Sequence, residues 1–223
     1  MTLQKNRLNS SDIGKLIDLN APCQFYFDGK KYQGYAGDTV ASALLANGVR
    51  LFGRSFKYHR PRGVFTAGVE EPSALLTVLH ENSDGKISRD PNIRAPEQEL
   101  YDGLKCESQN RFPSLSFDIL SINRLLSRFM PAGFYYKTFM GPFKQSWMWF
   151  EPFIRRAAGL GKASFEQDES LYDHAHAFCD ILIVGAGPAG ISAALKAGAS
   201  GARVILMEQS PYLGGWSARF SEI

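Results

Sequence analysis

The sequence predicts a mixed fold, an α+β unit followed by the start of an α/β unit, and three observations support this. First, alternating apolar residues near the N-terminus run into Asp28-Gly29, which is typical of a β-hairpin, and an amphipathic stretch of helical length follows. Second, residues 181–190 read ILIVGAGPAG, so an apolar strand continues directly into a glycine-spaced turn. Third, a segment rich in aromatic and basic residues separates the two patterns.

The composition is that of a globular protein and indicates no nucleic-acid or membrane partner. The chain has 223 residues, of which 44% are hydrophobic and 21% charged, enough to form a buried core. A net charge of +3 is too small to favour nucleic-acid binding by the chain as a whole. The N-terminus lacks the apolar stretch of a signal peptide, and no run reaches the roughly 18 apolar residues that span a bilayer.

The three cysteines, Cys23, Cys106 and Cys179, are far apart and form no CxxC pair. Their spacing predicts neither a disulfide framework nor a zinc or iron–sulfur ligand set. Reduced thiols in a cytoplasmic protein are the simplest interpretation.

The first unit is predicted to begin with a hairpin and a helix. Phe25 and Phe27 alternate with more polar neighbours, and residues 31–35 return after the Asp28-Gly29 turn. A helix should follow over residues 39–47, with Asp38 as its N-cap and Gly48 as its left-handed stop. Four residues of this helix share one mostly apolar face: Val40, Ala43, Leu44 and Asn47.

Two further strands are predicted after the helix, over residues 64–67 and 74–79. Hairpin, helix and strands together describe a small α+β unit of the β-grasp kind. Residues 82–113 are turn-rich and mixed in charge, and we interpret them as a connecting segment. The module is therefore assigned to residues 22–113, after an N-terminal extension of residues 1–21.

Residues 114–177 are interpreted as an aromatic and basic connecting arm. Such a segment suits a membrane-surface helix, a nucleic-acid platform, or an arm that buries its aromatic side chains against another part of a larger protein. We favour the buried arm, because prolines and glycines prevent one long amphipathic helix and the basic residues form no regular stripe. An acidic and polar linker at residues 166–173 ends this segment.

The C-terminal part, residues 178–223, carries a dinucleotide-binding fingerprint. Gly185 permits the tight turn from strand to helix, Gly187 lets a pyrophosphate approach the backbone, and Gly190 lets the helix pack closely on the strand. Pro188 and Ala189 open a helix that runs to about residue 199 and whose N-terminus carries a partial positive charge.

A second strand after this helix ends on an acidic residue, Glu208. In a fold of this kind, an acid at that position accepts a hydrogen bond from the ribose 2′-hydroxyl of NAD or FAD and would repel a 2′-phosphate. Gly214-Gly215 follows, and the local pattern does not separate NAD from FAD. Only one strand–helix–strand unit is present, so we expect the start of a Rossmann-like domain in the N-terminal piece of a longer polypeptide.

Three blocks of sequence resemble the α subunit of heterotetrameric sarcosine oxidase. They read GYAGDTVASALLANGVRLFGRSFKYHRPRGVFTAGVEEPSALL, PAGFYYKTF and HAFCDILIVGAGPAG. The resemblance implies a bacterial cytoplasmic complex with β, γ and δ subunits and the rest of the α subunit. That complex oxidatively demethylates sarcosine to glycine, produces hydrogen peroxide and passes the one-carbon unit to tetrahydrofolate.

For cofactors, the resemblance implies NAD at the glycine motif, with FAD as the alternative, and both FAD and FMN in the complete complex. The nucleotide contacts carried over are Gly185, Gly187, Gly190 and Glu208, with Pro188 and Ala189 between the glycines. No catalytic residue is assigned, since oxidation would occur on the β subunit. The fragment alone is expected to be inactive.

The first unit resembles the [2Fe–2S] domain of related dehydrogenase α subunits, which place clustered cysteines after the helix. Here the corresponding loop, GRSFKYHRPRGVFTAG, has no cysteine, so a ferredoxin-like but cluster-free module is predicted. We expect the loop to be buried, with its arginines paired to carbonyl or acidic groups, rather than to bind nucleic acid or a cofactor phosphate. No metal ligand is predicted at its histidine, because the other histidines lie far away in sequence. Its basic residues are Arg54, Lys57, His59, Arg60 and Arg62.

Two alternatives remain open on the sequence alone. The chain could belong to the α subunit of a related opine, proline or amine dehydrogenase, although the missing cysteines argue against it. It could also be a non-catalytic assembly module of a split subunit. Substrate-binding residues are expected on other chains or beyond residue 223.

Overall fold

A computed structural model of the protein describes residues 6–7, 16–129, 133, 139, 141, 143, 146–158, 161, 164–166, 171–210, 212–215 and 217. The chain divides into two compact units. The first contains residues 1–9 and 17–168, and the second contains residues 10–16 and 169–223. No helix in the described part of the chain is long and apolar enough to cross a membrane.

The predicted hairpin is confirmed. Strands β1 (Asp18–Phe27) and β2 (Lys30–Ala36) are antiparallel, with Phe27 opposite Lys30. Asp28 and Gly29 between them have φ angles of 49° and 74°, and two consecutive positive φ angles are what a type I′ turn requires.

The helix is confirmed as α1 (Val40–Ala46), but the prediction that Asp38 is its N-cap is wrong. Thr39 is the N-cap, and it forms a reciprocal capping box with Ser42. The Asp38 carboxylate is fully buried instead, where it accepts hydrogen bonds from the Tyr35 backbone N–H, the Ser42 hydroxyl and the Arg7 guanidinium. Gly48 has the predicted positive φ, 81°.

A five-stranded sheet in the order β2-β1-β7-β5-β6 forms the centre of the first unit. Strand β5 (Leu75–Glu81) matches the predicted strand at residues 74–79. Interpreting residues 82–113 as a connecting segment is wrong, because they provide β6 (Ile87–Arg94) and β7 (Lys105–Ser108). Strand β7 lies parallel to β1 and antiparallel to β5, so it joins the hairpin to the rest of the sheet.

The strand predicted at residues 64–67 does not form. The backbone N–H groups of Phe65 and Thr66 donate to the Glu71 carboxylate rather than to a neighbouring strand. Two short strands, β3 (Gly53–Arg54) and β4 (Pro61–Arg62), pair with each other instead. They lie at the two ends of the basic loop, residues 54–62.

The hydrophobic core of the first unit joins the sheet to α1. Phe25 of β1, Leu44 of α1, Leu76 of β5 and Phe52 are all fully buried. Burying each such side chain stabilises the folded state by about 1.5–3 kcal/mol.

Several aromatic side chains in the described parts of the arm are exposed within this chain. A 3₁₀ helix (Ile119–Phe129) and helix α2 (Trp147–Ala158) lie in this segment, and α2 contains Pro152. Trp149 is 70% exposed and Phe153 is 75% exposed. Residues 134–138 of the predicted arm lie outside the described residues. Burial of these aromatics against another part of a larger protein remains a prediction.

The second unit has the predicted strand–helix–strand order. Strand β8 (Ile181–Val184) is followed by α3 (Pro188–Ala199) and by β9 (Val204–Met207), which pairs parallel with β8. The prediction that β8 is fully buried is wrong for this chain. Leu182 is 53% exposed and Val184 is 78% exposed, because the described elements of this unit do not cover both faces of a two-stranded sheet.

Candidate functional site

The turn between β8 and α3 is the centre of the candidate site. Gly185 has a φ of 93°, a left-handed conformation that favours glycine, and its N–H donates to the Met207 carbonyl at 2.8 Å. This hydrogen bond fixes the turn against the end of β9. The glycine role predicted for this position agrees with the backbone geometry.

Gly187 borders open space. A Cβ built on Gly187 would meet no heavy atom within 4 Å, and its φ of −69° is one that any residue can adopt. Neither steric crowding nor backbone strain within the described chain therefore requires glycine at this position. A ligand that approaches the backbone closely would supply that requirement.

Gly190 has a steric requirement of its own. A Cβ built on Gly190 would overlap the carbonyl oxygen of Gly185 and lie 3.6 Å from the Ile183 side chain. The first turn of α3 therefore packs against the strand end with no space for a side chain at position 190.

The N-terminus of α3 faces the turn without a side-chain cap. Gly187 is the N-cap, Pro188 occupies the first helical position and no acidic residue lies in the first turn. The N–H groups of Ala189 and Gly190 in this turn have no carbonyl partner within the helix. Their dipoles give this end of the helix a partial positive charge that favours an anion such as a phosphate.

Glu208 lies directly after β9 and reaches the glycine turn. Its Oε2 accepts a hydrogen bond from the Ala186 N–H at 2.7 Å, and its Oε1 accepts from the N–H groups of Gln209 and Ser210. The hydrogen bonds from Ser210 and Ala186 are the main cause that lowers the pKa of Glu208. The carboxylate is therefore ionised at neutral pH and fixed beside the turn.

Sequence reasoning placed Glu208 at the strand end but missed its contact with Ala186. Ala186 is fully buried although its neighbours are glycines at a surface turn. An alanine gives no signal in sequence for a backbone N–H that anchors a carboxylate.

The cysteines do not fit an iron–sulfur cluster. Cys23 lies in β1 and Cys106 in β7, both buried, and Cys179 lies in the second unit. Burial, with smaller contributions from Asp28 and Glu107, raises the pKa of Cys106 to about 12, so its thiol stays protonated. Cluster iron needs thiolates, and among the residues described no group of three or more His, Cys, Asp or Glu is positioned to hold a metal ion.

The basic loop separates into an inward and an outward part. Arg54 donates to the carbonyl oxygens of Leu115 and His59, as the preference for carbonyl pairing predicted. His59 is buried and pairs through Nδ1 with Asp118, a residue that sequence reasoning did not select. Within this chain the predicted burial is wrong for the outer part, where Arg60 and Arg62 are exposed. Lys57 and Arg60 lie over the Tyr58 ring.

Comparison with known families assigns the two units separately. Residues 20–111 match a family described as 2Fe-2S iron-sulfur cluster binding domain. Residues 180–219 match a family described as FAD dependent oxidoreductase.

Comparison with curated proteins gives relatives along most of the chain. The alpha subunit of sarcosine oxidase from Rhizobium meliloti is 58% identical over 201 residues, which cover 90% of this chain and 20% of the relative. The corresponding subunit from Corynebacterium sp. strain U-96 is 37% identical over 203 residues, 91% of this chain and 16% of the relative. An opine oxidase subunit from Agrobacterium tumefaciens is 55% identical over 38 residues, 17% of this chain and 8% of the relative.

The chain thus spans about a fifth or less of the length of the sarcosine oxidase subunits that it matches. The similarity extends through both units, whereas the opine oxidase match covers fewer than a fifth of the residues of this chain. The chain is therefore homologous to the N-terminal part of the α subunit of sarcosine oxidase.

Proposed function

We propose that the second unit binds the ADP part of an adenine dinucleotide and that the chain serves the α subunit of a sarcosine-oxidising complex. The observation that carries this proposal is the Glu208 carboxylate, which is held 2.7 Å from the Ala186 N–H beside an uncrowded Gly187. A strand, a glycine turn, a helix N-terminus and an acid in this order form the recognition unit for a dinucleotide.

Each predicted contact has a role in this proposal. Gly185 and Gly190 shape the turn, and Gly187 admits the pyrophosphate to the backbone. Pro188 and Ala189 start the helix whose dipole favours the phosphate charge. Glu208 accepts a hydrogen bond from a ribose hydroxyl.

The identity of the dinucleotide is NAD in this proposal, with FAD as its competitor. NAD follows from the resemblance to the sarcosine oxidase α subunit, whereas the family matched by residues 180–219 is described by FAD. Both ligands contain the ADP unit that this turn would recognise, and the experiment below separates them.

The reaction proposed for the complete complex is the oxidative demethylation of sarcosine to glycine, with hydrogen peroxide as a product and tetrahydrofolate as the one-carbon acceptor. FAD and FMN would supply the redox chemistry when bound in that complex. The proposed partners are the β, γ and δ subunits together with the rest of the α subunit. The present chain contributes nucleotide binding and no catalytic group, so it should not oxidise sarcosine alone.

The first unit is proposed to work without an iron–sulfur cluster. Its described cysteines are buried in strands, and the loop at residues 53–68 has none. Purified protein should therefore contain neither iron nor acid-labile sulfide in a stoichiometric amount. Stoichiometric amounts of both would contradict this part of the proposal.

The experiment that tests nucleotide binding is heat release from the purified full chain, followed by chromatography and an absorbance spectrum. Released NAD without yellow colour supports the NAD assignment, and released FAD with yellow colour assigns the site to a flavin. If no nucleotide is released, calorimetric titrations with ADP, NAD and FAD follow. Failure of all three to bind a folded chain would overturn the proposed site.

A further inference from the structure

The loop at residues 65–74 surrounds a buried carboxylate. Glu71 is only 1% exposed, and its side chain accepts four backbone hydrogen bonds. Oε2 accepts from Phe65 at 2.7 Å and Thr66 at 2.6 Å, and Oε1 accepts from Ser73 at 2.7 Å and Ala74 at 3.0 Å. Each oxygen therefore binds two consecutive amides, which come from both sides of Glu71 in the chain.

In the part of the chain that the structure describes, backbone N–H groups balance the charge of this carboxylate. Within the described residues, no Lys, Arg or His nitrogen forms an ion pair with Glu71. Burial by itself raises the pKa of Glu71, but the four backbone hydrogen bonds outweigh it and hold the pKa below its ordinary value. Four converging N–H groups that stabilise an anion form the kind of concave site called a nest.

The position of this nest in the chain relates it to iron–sulfur sites. It lies within residues 20–111, which match a family described as binding a 2Fe-2S cluster. Nests of backbone N–H groups occur at many iron–sulfur sites, where they interact with an anionic cluster. This loop offers such amides but no cysteine, and a carboxylate of the chain already occupies them.

We propose that the Glu71 carboxylate is an anionic ligand that the chain itself supplies to this loop. It organises residues 65–74 in the way that a bound anionic cluster would. The loop is then an anion-binding nest whose ligand belongs to the chain. This inference goes beyond nucleotide binding but rests on the proposed absence of a cluster.

A nest that requires an anion differs from a loop that is merely filled by a side chain. Removal of the carboxylate from such a nest should leave a site that a free small carboxylate can enter. Formate presents the same two oxygens, and the loop is at the surface, with Phe65 80% exposed and Val69 62% exposed. Formamide has a similar size but no charge, and so serves as the neutral comparison.

The experiment compares Glu71→Ala with Glu70→Ala in the full chain, using hydrogen exchange measured on the peptide covering residues 64–75. Glu70 is the adjacent carboxylate and is exposed. Glu71→Ala should accelerate exchange in this peptide about tenfold or more, and formate should restore protection in a concentration-dependent manner. Formamide, and sodium chloride at equal ionic strength, should restore less. Glu70→Ala should exchange like the wild type.

The proposal is overturned if formate protects no better than sodium chloride, or if Glu71→Ala exchanges like Glu70→Ala. If Glu71→Ala fails to fold, Glu71→Gln tests the proposal instead. This variant keeps the volume of the side chain but presents an NH₂ group to the N–H donors. Hydrogen exchange of Glu71→Gln should be faster in residues 64–75 but not in the β1–β2 hairpin. Unchanged exchange in residues 64–75 would refute the inference. Iron and sulfide analysis of the purified protein tests the absence of a cluster independently of these exchange measurements.

Discussion

The carboxylate of Glu208 and the backbone N–H of Ala186 are joined by a hydrogen bond of 2.7 Å. This bond connects the residue after β9 to the middle of the glycine turn after β8. The side chain that we propose for the ribose is thus held by the same turn that we propose for the pyrophosphate.

We predict that Glu208→Gln weakens binding of the dinucleotide by about tenfold to a hundredfold, since a hydrogen bond to a charged acceptor contributes about 1.5–3 kcal/mol. Titration calorimetry with the nucleotide that the chain binds measures the loss. Asp180→Asn is the matched control, because the Asp180 carboxylate also accepts a hydrogen bond from a backbone N–H, that of Arg203, but at the opposite end of β8. Equal losses in both variants would show that the effect is structural.

We predict that Gly187→Ala abolishes nucleotide binding without unfolding the chain. The added methyl group meets no protein atom within 4 Å but would occupy the space of an approaching pyrophosphate. Gly198→Ala in α3 adds the same group at another open position and should bind normally. Thermal unfolding and calorimetry on both variants provide the measurement, and normal binding by Gly187→Ala would contradict the proposed phosphate site.

We predict that Glu71 makes stability depend on pH. Its pKa in the folded chain is lowered from an ordinary value of about 4.3, so its ionisation stabilises the fold above that value. This contribution is lost as the pH falls through the lowered folded-state pKa. Glu71→Gln should cost about 2 kcal/mol at pH 7, and its stability should fall less than that of the wild type on acidification.

Urea unfolding from about pH 7 to about pH 3 tests this pH dependence, with Glu70→Gln as the control that keeps the wild-type response. A parallel acid response in Glu71→Gln and the wild type would show that Glu71 is not the group responsible.

We predict that His59→Ala destabilises the first unit by about 3 kcal/mol. His59 Nδ1 lies 2.6 Å from Asp118 Oδ2, and both side chains are buried, so the substitution removes the short contact of Oδ2 with His59. Oδ1 keeps its hydrogen bonds from the backbone N–H groups of Phe112 and Leu120, and Arg54 Nε remains 4.0 Å from Oδ2. His80→Ala removes the corresponding pair at the surface, where His80 Nε2 lies 3.0 Å from Asp90, and should cost less than about 1 kcal/mol. Urea unfolding of the two variants compares the pairs directly, and equal costs would refute the structural role of His59.

Short-range patterns in the sequence predicted the elements whose geometry depends on neighbouring residues. Asp28-Gly29 predicted the hairpin because both residues accept a positive φ, which the structure has. The glycine spacing and the apolar runs predicted β8, α3 and β9, since a strand–helix–strand unit is built from consecutive residues. The position of Glu208 at the end of β9 followed from the same pattern.

Other features depended on residues far apart in the chain. Strand β7 has only four residues and is stabilised by β1 and β5, so its own sequence carried little signal. Asp38 fits the composition of an N-cap, but a guanidinium 31 residues away and the buried environment decide its role. Thr39 then provides the cap.

The sequence by itself thus determined the hairpin, the first helix, the glycine turn and the resemblance to sarcosine oxidase α subunits, because those depend on local dihedral preferences and contiguous motifs. Only the tertiary structure decided that Glu71 is buried among four amides, that His59 pairs with Asp118 and that Ala186 anchors Glu208. These contacts are formed by backbone groups or by side chains distant in sequence, and burial, which the fold creates, determines whether a charged side chain lies in solvent or must be hydrogen-bonded inside.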